Sequence, residues 1–255
     1  MSVIKPPAAR ADSAFVDTLF AAEVADQGFV STHTSVLSLN AEAYEAWEEL
    51  TAAVHRSMGT RRYELVTLAA AKAIGSTHCR LAHGRKSLAV FSREQLLRIA
   101  RDYRTAGLDE AEVAMMEFAE RLSTNASSMT DADGERLRDL GLSDREIVDV
   151  VLAAAARNFY SRAVQSLAIE LDPVELDEEL RDALLAGLAP DRATGSRSSE
   201  RTATPCAGST RCRPGGSPRR STRPSSTPAW PAACPSSPRI RRRSSTSSPP
   251  CASPG

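Results

Sequence analysis

Between residues 12 and 188 apolar side chains recur every three or four positions, and short capping signals punctuate the rhythm. A period of 3.6 residues places such side chains on one face of a helix, whereas a strand needs a period of two. No convincing period-two run and no βαβ alternation occurs. The stretch therefore predicts an all-α fold, a compact helical bundle, and about 180 residues are enough to bury a core.

Individual helices can be placed. Asn40 caps a stripe of Ala43, Ala46, Trp47, Leu50 and Val54. The stretch 60–74 has apolar neighbours almost all round, as a buried helix would, and Gly75 suits its end. Ser76 caps the next helix, expected to run through Leu81, Leu88 and Val90. Ser92 and Gln95 form a capping box ahead of Leu96, Leu97, Ile99 and Tyr103, with a break at Gly107. Asp109 and Glu112 open another helix, and a shorter one spans 131–140. Ser143 and Glu146 begin a long helix through Ile147, Phe159 and Leu167, closed by Asp172-Pro173. A final amphipathic helix is expected over 175–188. The alanine runs at 69–71 and 153–156 would suit burial against a neighbouring subunit.

Composition changes abruptly near residue 195. The 255-residue chain carries 32 basic and 32 acidic side chains. Residues 1–194 hold 21 of the basic and 31 of the acidic groups, and 195–255 hold 11 arginines against the single acid Glu200. The body is thus acidic by 10 charges, which argues against nucleic acid as its main partner. The last 61 residues, with 15 Ser, 11 Pro and only Trp230 and Ile240 as large apolar groups, cannot offset the entropy of ordering and read as a disordered tail. Either the tail is a basic arm for nucleic acid or anionic surfaces, or it has no evolved function, an out-of-frame reading of a GC-rich gene being one way such a composition arises. The second account is favoured. The expected organisation is a flexible N-terminus over 1–11, one helical domain over 12–190 and the tail over 195–255.

Four of the five cysteines lie in that tail, which leaves Cys79 alone in the body. A lone cysteine builds no disulfide framework, no apolar run approaches a membrane span, and residues 1–15 lack the apolar core of a signal peptide. The expectation is a cytoplasmic protein.

Phosphate-binding glycine loops, HExxH, G-x-S-x-G and CxxC are all missing, and no cofactor is implied. The chemistry-bearing residues gather between Glu64 and His83. With Ser76 as N-cap, Cys79 falls in the first helical turn, where free N–H groups and the helix dipole favour an anionic sulfur. His83, four residues on, shares its face. Glu64, on the preceding helix, can return to His83 or His78 across the Gly75 turn and fix a tautomer. A thiolate with a neighbouring acid–base pair is equipped to attack a peroxide O–O bond. Plainer readings stand beside this one: Cys79 as a small core residue, His83 as a structural histidine, Glu64 as a partner for Arg61, Arg62 or Lys72. The same Glu, His and Cys side chains could also ligate a metal, although nothing else suggests one. His33 and His55 receive no role, and Tyr160 and Arg162 read as packing or oligomer contacts.

The pattern resembles the alkylhydroperoxidase D-like members of the carboxymuconolactone decarboxylase superfamily, whose motif is Glu, eleven residues, then Cys-x-His-Cys-x-x-x-His. This chain has Glu64, eleven residues, then Ser76, His78, Cys79 and His83, so four of five positions match. The segment 158–162 resembles the peroxidase-related branch, and the likeness spans residues 12–180. It implies that Cys79 is the peroxide-attacking thiol and that Glu64, His78 and His83 form its proton relay. It also implies a homo-oligomer, commonly a trimer or hexamer, acting on a small hydroperoxide. The departure is Ser76, which stands where the family has its resolving cysteine and cannot form a disulfide. An external thiol reductant must then resolve Cys79, or redox activity is reduced or lost. A non-redox decarboxylase or lyase and a degenerate oligomeric binding protein are the alternatives.

Overall fold

The computed structural model describes residues 3–4 and 13–188. The expectations for the tail over 195–255, and for nearly all of residues 1–11, fall outside them. Ten α-helices follow in order among the described residues, with no strand: α1 (Ala14–Gln27), α2 (Thr32–Leu37), α3 (Ala41–Met58), α4 (Thr60–Ile74), α5 (Thr77–Ser87), α6 (Arg93–Asp102), α7 (Glu110–Asn125), α8 (Asp131–Asp139), α9 (Asp144–Ser166) and α10 (Glu178–Leu185). The all-α reading stands.

The centre of the bundle is α4. Every residue from Tyr63 to Ala71 is buried, and α3, α5, α7 and α9 pack around it. Its alanines let neighbouring backbones approach, while Leu65 and Leu68 each contribute roughly 1.5–3 kcal/mol by leaving water. A second, smaller cluster joins Cys79 of α5 to Val36, Tyr44, Tyr160 and Val164.

The caps expected at Asn40, Ser76, Ser92, Asp109 and Ser143 each accept a backbone N–H three residues on. Three expected boundaries are corrected. Helix α5 stops at Ser87 instead of continuing through Leu88 and Val90, because the N–H groups of Leu88, Ala89 and Val90 turn back to carbonyls three residues earlier. Tyr103 lies beyond α6 in a short 3₁₀ turn at Tyr103–Thr105. The last helix begins only at Glu178, and residues 169–177 form an irregular strap. Within that strap, Asp172 accepts from the N–H (2.7 Å) and hydroxyl (2.6 Å) of Thr32, fixing the start of α2.

Arg80 ties the layers together. Its fully buried guanidinium donates to the carbonyls of Leu184 (3.0 Å), Leu68 (3.1 Å) and Ala100 (3.4 Å). Burial lowers its pKa to about 10, but those three acceptors take the place of water around the cation.

Candidate functional site

Helix α4 ends at Gly75, whose φ of 72° is the left-handed conformation that costs glycine no Cβ clash. The chain then reverses into α5, and the reversal brings Glu64 against His83, with Oε2 2.8 Å from Nδ1. Arg61 and Arg62 are engaged elsewhere, with Glu112 and Glu146. Ser76 caps α5 by accepting the Cys79 N–H at 3.3 Å.

The hydrogen bonds of the Cys79 sulfur run to α9, not to His83. Ser161 Oγ donates to Sγ at 3.2 Å and Arg157 Nη1 at 3.6 Å. Arg157 is itself buried, with its guanidinium carbon 5.5 Å from the centre of the Tyr160 ring. Burial works against its charge, but Cys79 and Tyr63 beside it more than offset this and hold its pKa above the usual value. A permanent cation thus lies against the sulfur, the counter-charge that an anionic sulfur needs.

The acid–base groups sit in the same dry setting. Burial pushes the Glu64 carboxyl up to about 7, against the pull of Lys86, Arg157 and His55. Burial lowers His83 well below its ordinary value, with Arg157 and Lys86 adding to the effect. Both shifts oppose an ion pair, so the two groups meet around neutral pH as an exchangeable carboxyl proton beside a neutral imidazole. His78 is brought down to about 4 by burial. Its ring meets that of His33 edge-on at 4.5 Å, and its Nδ1 is buried without a hydrogen-bond partner.

Five of these side chains, Cys79, His78, His83, His33 and Arg157, line one side of a cavity of about 580 Å³. Its other walls come from α1 and the loop after it, α3, α9 and the strap, through residues such as Glu23, Phe29, Tyr44, Trp47, Tyr160 and Leu171. The expected site residues therefore fall into two groups. His78, Cys79 and His83 face the cavity, whereas Glu64 stands behind His83 and Ser76 holds the helix end. No three His, Cys, Asp or Glu side chains among the described residues converge as metal ligands would.

Sequence reasoning missed Arg157, Ser161, His33 and Trp47 as parts of the site. One signal for Arg157 was available: an arginine directly after four alanines in a helix expected to be buried is an isolated charge that must have a partner. His33, on a short helix between turns, offered no such signal.

No protein-family description matches the chain, and no curated protein matches it. Solved structures do. An uncharacterized peroxidase-related protein from Silicibacter sp. TM1040 superposes with a TM-score of 0.60 at 19% identity, covering 67% of this chain and 92% of the other. The alkylhydroperoxidase AhpD core of an uncharacterized peroxidase-related protein from Ralstonia eutropha JMP134 gives 0.54 at 21% identity, over 72% and 96%. A cysteine-to-alanine variant of the debrominase Bmp8, in complex with 2,3,4-tribromopyrrole, gives 0.57 at 16% identity, again over 72% and 96%. At such identities the likeness concerns the fold.

Proposed function

On the alkylhydroperoxidase D-like fold that this chain shares with those structures, we propose that it is a thiol-dependent peroxide reductase. The observation that carries the proposal is the Cys79 sulfur on the cavity wall, held between the Ser161 hydroxyl and the Arg157 guanidinium. As a thiolate, Cys79 attacks the terminal oxygen of a hydroperoxide. The S–O bond forms as the O–O bond breaks, leaving a sulfenic acid and an alkoxide. The proton that converts the alkoxide to the alcohol comes from His83, and Glu64 replaces it at Nδ1. A carboxyl that titrates near neutrality suits that exchange. His78, neutral and facing the same space, is the second proton carrier.

Ser76 hydrogen-bonds the helix end and has no thiol to offer. Resolution therefore falls to an external thiol. One equivalent displaces water from the sulfenic acid and leaves a mixed disulfide, and a second releases Cys79 with a disulfide as product. The stripe of Val148, Leu152 and Phe159, exposed along one face of α9, supports association with further copies of the chain. No helix among the described residues is long and apolar enough to cross a membrane.

One equivalent of hydroperoxide followed by mass-spectrometric mapping tests the assignment, with oxidation expected at Cys79. A Cys79 left unmodified while a control peroxidase is oxidised removes it. A second reading rests on Glu64 and His83, an acid–base pair that can serve a decarboxylase or lyase without any redox step. Bmp8, on the same fold, is a debrominase. Turnover that survives Cys79→Ser would favour that reading.

A further inference from the structure

The cavity is much larger than the O–O group that Cys79 would attack. Hydrogen peroxide needs room for two heavy atoms, whereas about 580 Å³ falls in the range of pockets that enclose a whole organic ligand. The added volume has a distinct chemistry. Tyr44, Trp47 and Tyr160 form a ladder along one wall, with ring centres 5.7 Å and 4.3 Å apart and planes within 19° and 23° of parallel. His33 meets Tyr160 edge-on at 5.8 Å and extends the wall to His78. Leu171 and Pro173 of the strap also face the space.

A second observation concerns hydrogen bonding. Buried nitrogens without partners are rare in native proteins. Among the described residues five buried polar side-chain atoms lack one, and four of them belong to this wall: His33 Nδ1, Trp47 Nε1, His78 Nδ1 and Arg157 Nε. His78 lines the cavity beside Cys79, with its Nδ1 buried behind the surface of the wall. An aromatic wall in a cavity of this size fits a flat organic body, and leaves a small or purely aliphatic ligand poorly held.

We propose that the Tyr44–Trp47–Tyr160 wall is a subsite for the aromatic ring of an arylalkyl hydroperoxide, which seats the peroxide oxygen at Cys79. The subsite rests on the peroxide reading for its chemistry but not for its binding. Reduction there converts the hydroperoxide to the corresponding aryl alcohol, with the oxygen passing to Cys79 as the sulfenic acid and both electrons coming from the sulfur.

The test uses the full chain with Trp230→Phe, which leaves Trp47 as its only tryptophan. Titration with 2-phenylpropan-2-ol, the product of cumene hydroperoxide, should change Trp47 fluorescence saturably, and tert-butanol should not. In single-turnover oxidation of Cys79, cumene hydroperoxide should react about tenfold faster than tert-butyl hydroperoxide. Trp47→Leu should abolish most of that ratio, and Trp47→Phe should keep most of it. Equal rates with the two hydroperoxides, or an aryl alcohol that leaves Trp47 unchanged, would overturn the subsite while leaving Cys79 a peroxide-reactive thiol. A saturable aryl-alcohol signal with a Cys79 inert to both peroxides would support the subsite and remove the peroxide chemistry.

Discussion

Arg157 places a positive charge 3.6 Å from the Cys79 sulfur. A buried guanidinium is permanently charged and cannot shed its proton to escape the interior, so its neighbours must accommodate it. Its hydrogen bond to sulfur and its place over Tyr160 are that accommodation. Arg157→Met should slow alkylation of Cys79 by iodoacetamide at pH 7 by about tenfold or more. Arg157→Lys, which keeps the charge without the planar fork, should recover part of the loss. Equal alkylation rates in the two variants and the parent would deny Arg157 this role. Glu64 gives a second prediction. Burial holds it protonated up to about pH 7, so the rate of Cys79 oxidation should decline as pH rises through that value. Glu64→Gln should be slower and lack that inflection, and a surviving inflection would move the proton donor elsewhere. Of these residues, Glu64, Cys79 and His83 were legible because they lie on one helical hairpin, where spacing alone decides which face each occupies. Arg157 and Ser161 were not, since they reach Cys79 from positions 78 and 82 residues away and only packing brings α9 there.

The elements were legible wherever a local hydrogen bond ends them. Asn40, Ser76, Asp109 and Ser143 each mark a start because a side-chain oxygen satisfies a free N–H within the same turn. Residues 169–177 were misread in part because their apolar spacing resembles that of a helix, whereas their actual partners are distant: Asp172 holds Thr32, and Asp177 pairs with Arg93 at 2.6 Å. The close approach of α5 to α10 was equally hidden. It depends on Gly84, where an added Cβ would lie 2.3 Å from Cδ1 of the buried Leu184. Gly84→Ala should therefore cost about 1–3 kcal/mol in urea unfolding, the range for overpacking a close contact. Leu184→Ala is itself costly at a buried position, but the double variant should be more stable than the two single losses added together, because the smaller side chain vacates the clashing volume. A double variant no more stable than the sum of its parts predicts would show that the two helices do not meet through this contact.

Taken together, the buried titratable groups give the molecule an acid-sensitive stability whose sign can be worked out. His33, His78 and His83 are all depressed by burial, so the fold leaves them neutral while the unfolded chain protonates them below about pH 6.5. For a base depressed in this way, stability is present above the unfolded pKa and is lost as pH falls below it. Glu64 and Glu48 act in the opposite direction. Burial raises both, so between about 4.5 and their folded values the native state binds protons that the unfolded chain does not, and acid favours the fold. Three histidine protons taken up on unfolding outweigh one or two carboxyl protons released. Stability should fall by about 1.4–2.7 kcal/mol for each pH unit below the histidine range, one to two protons' worth. Urea midpoints measured at half-unit steps from pH 6.5 to 5 would give this slope. Glu64→Gln removes one opposing proton and should steepen the decline by about 1.4 kcal/mol per pH unit. A slope unchanged by that substitution would mean that Glu64 is ionised in the folded protein, and a donor for the relay would have to be sought at His78.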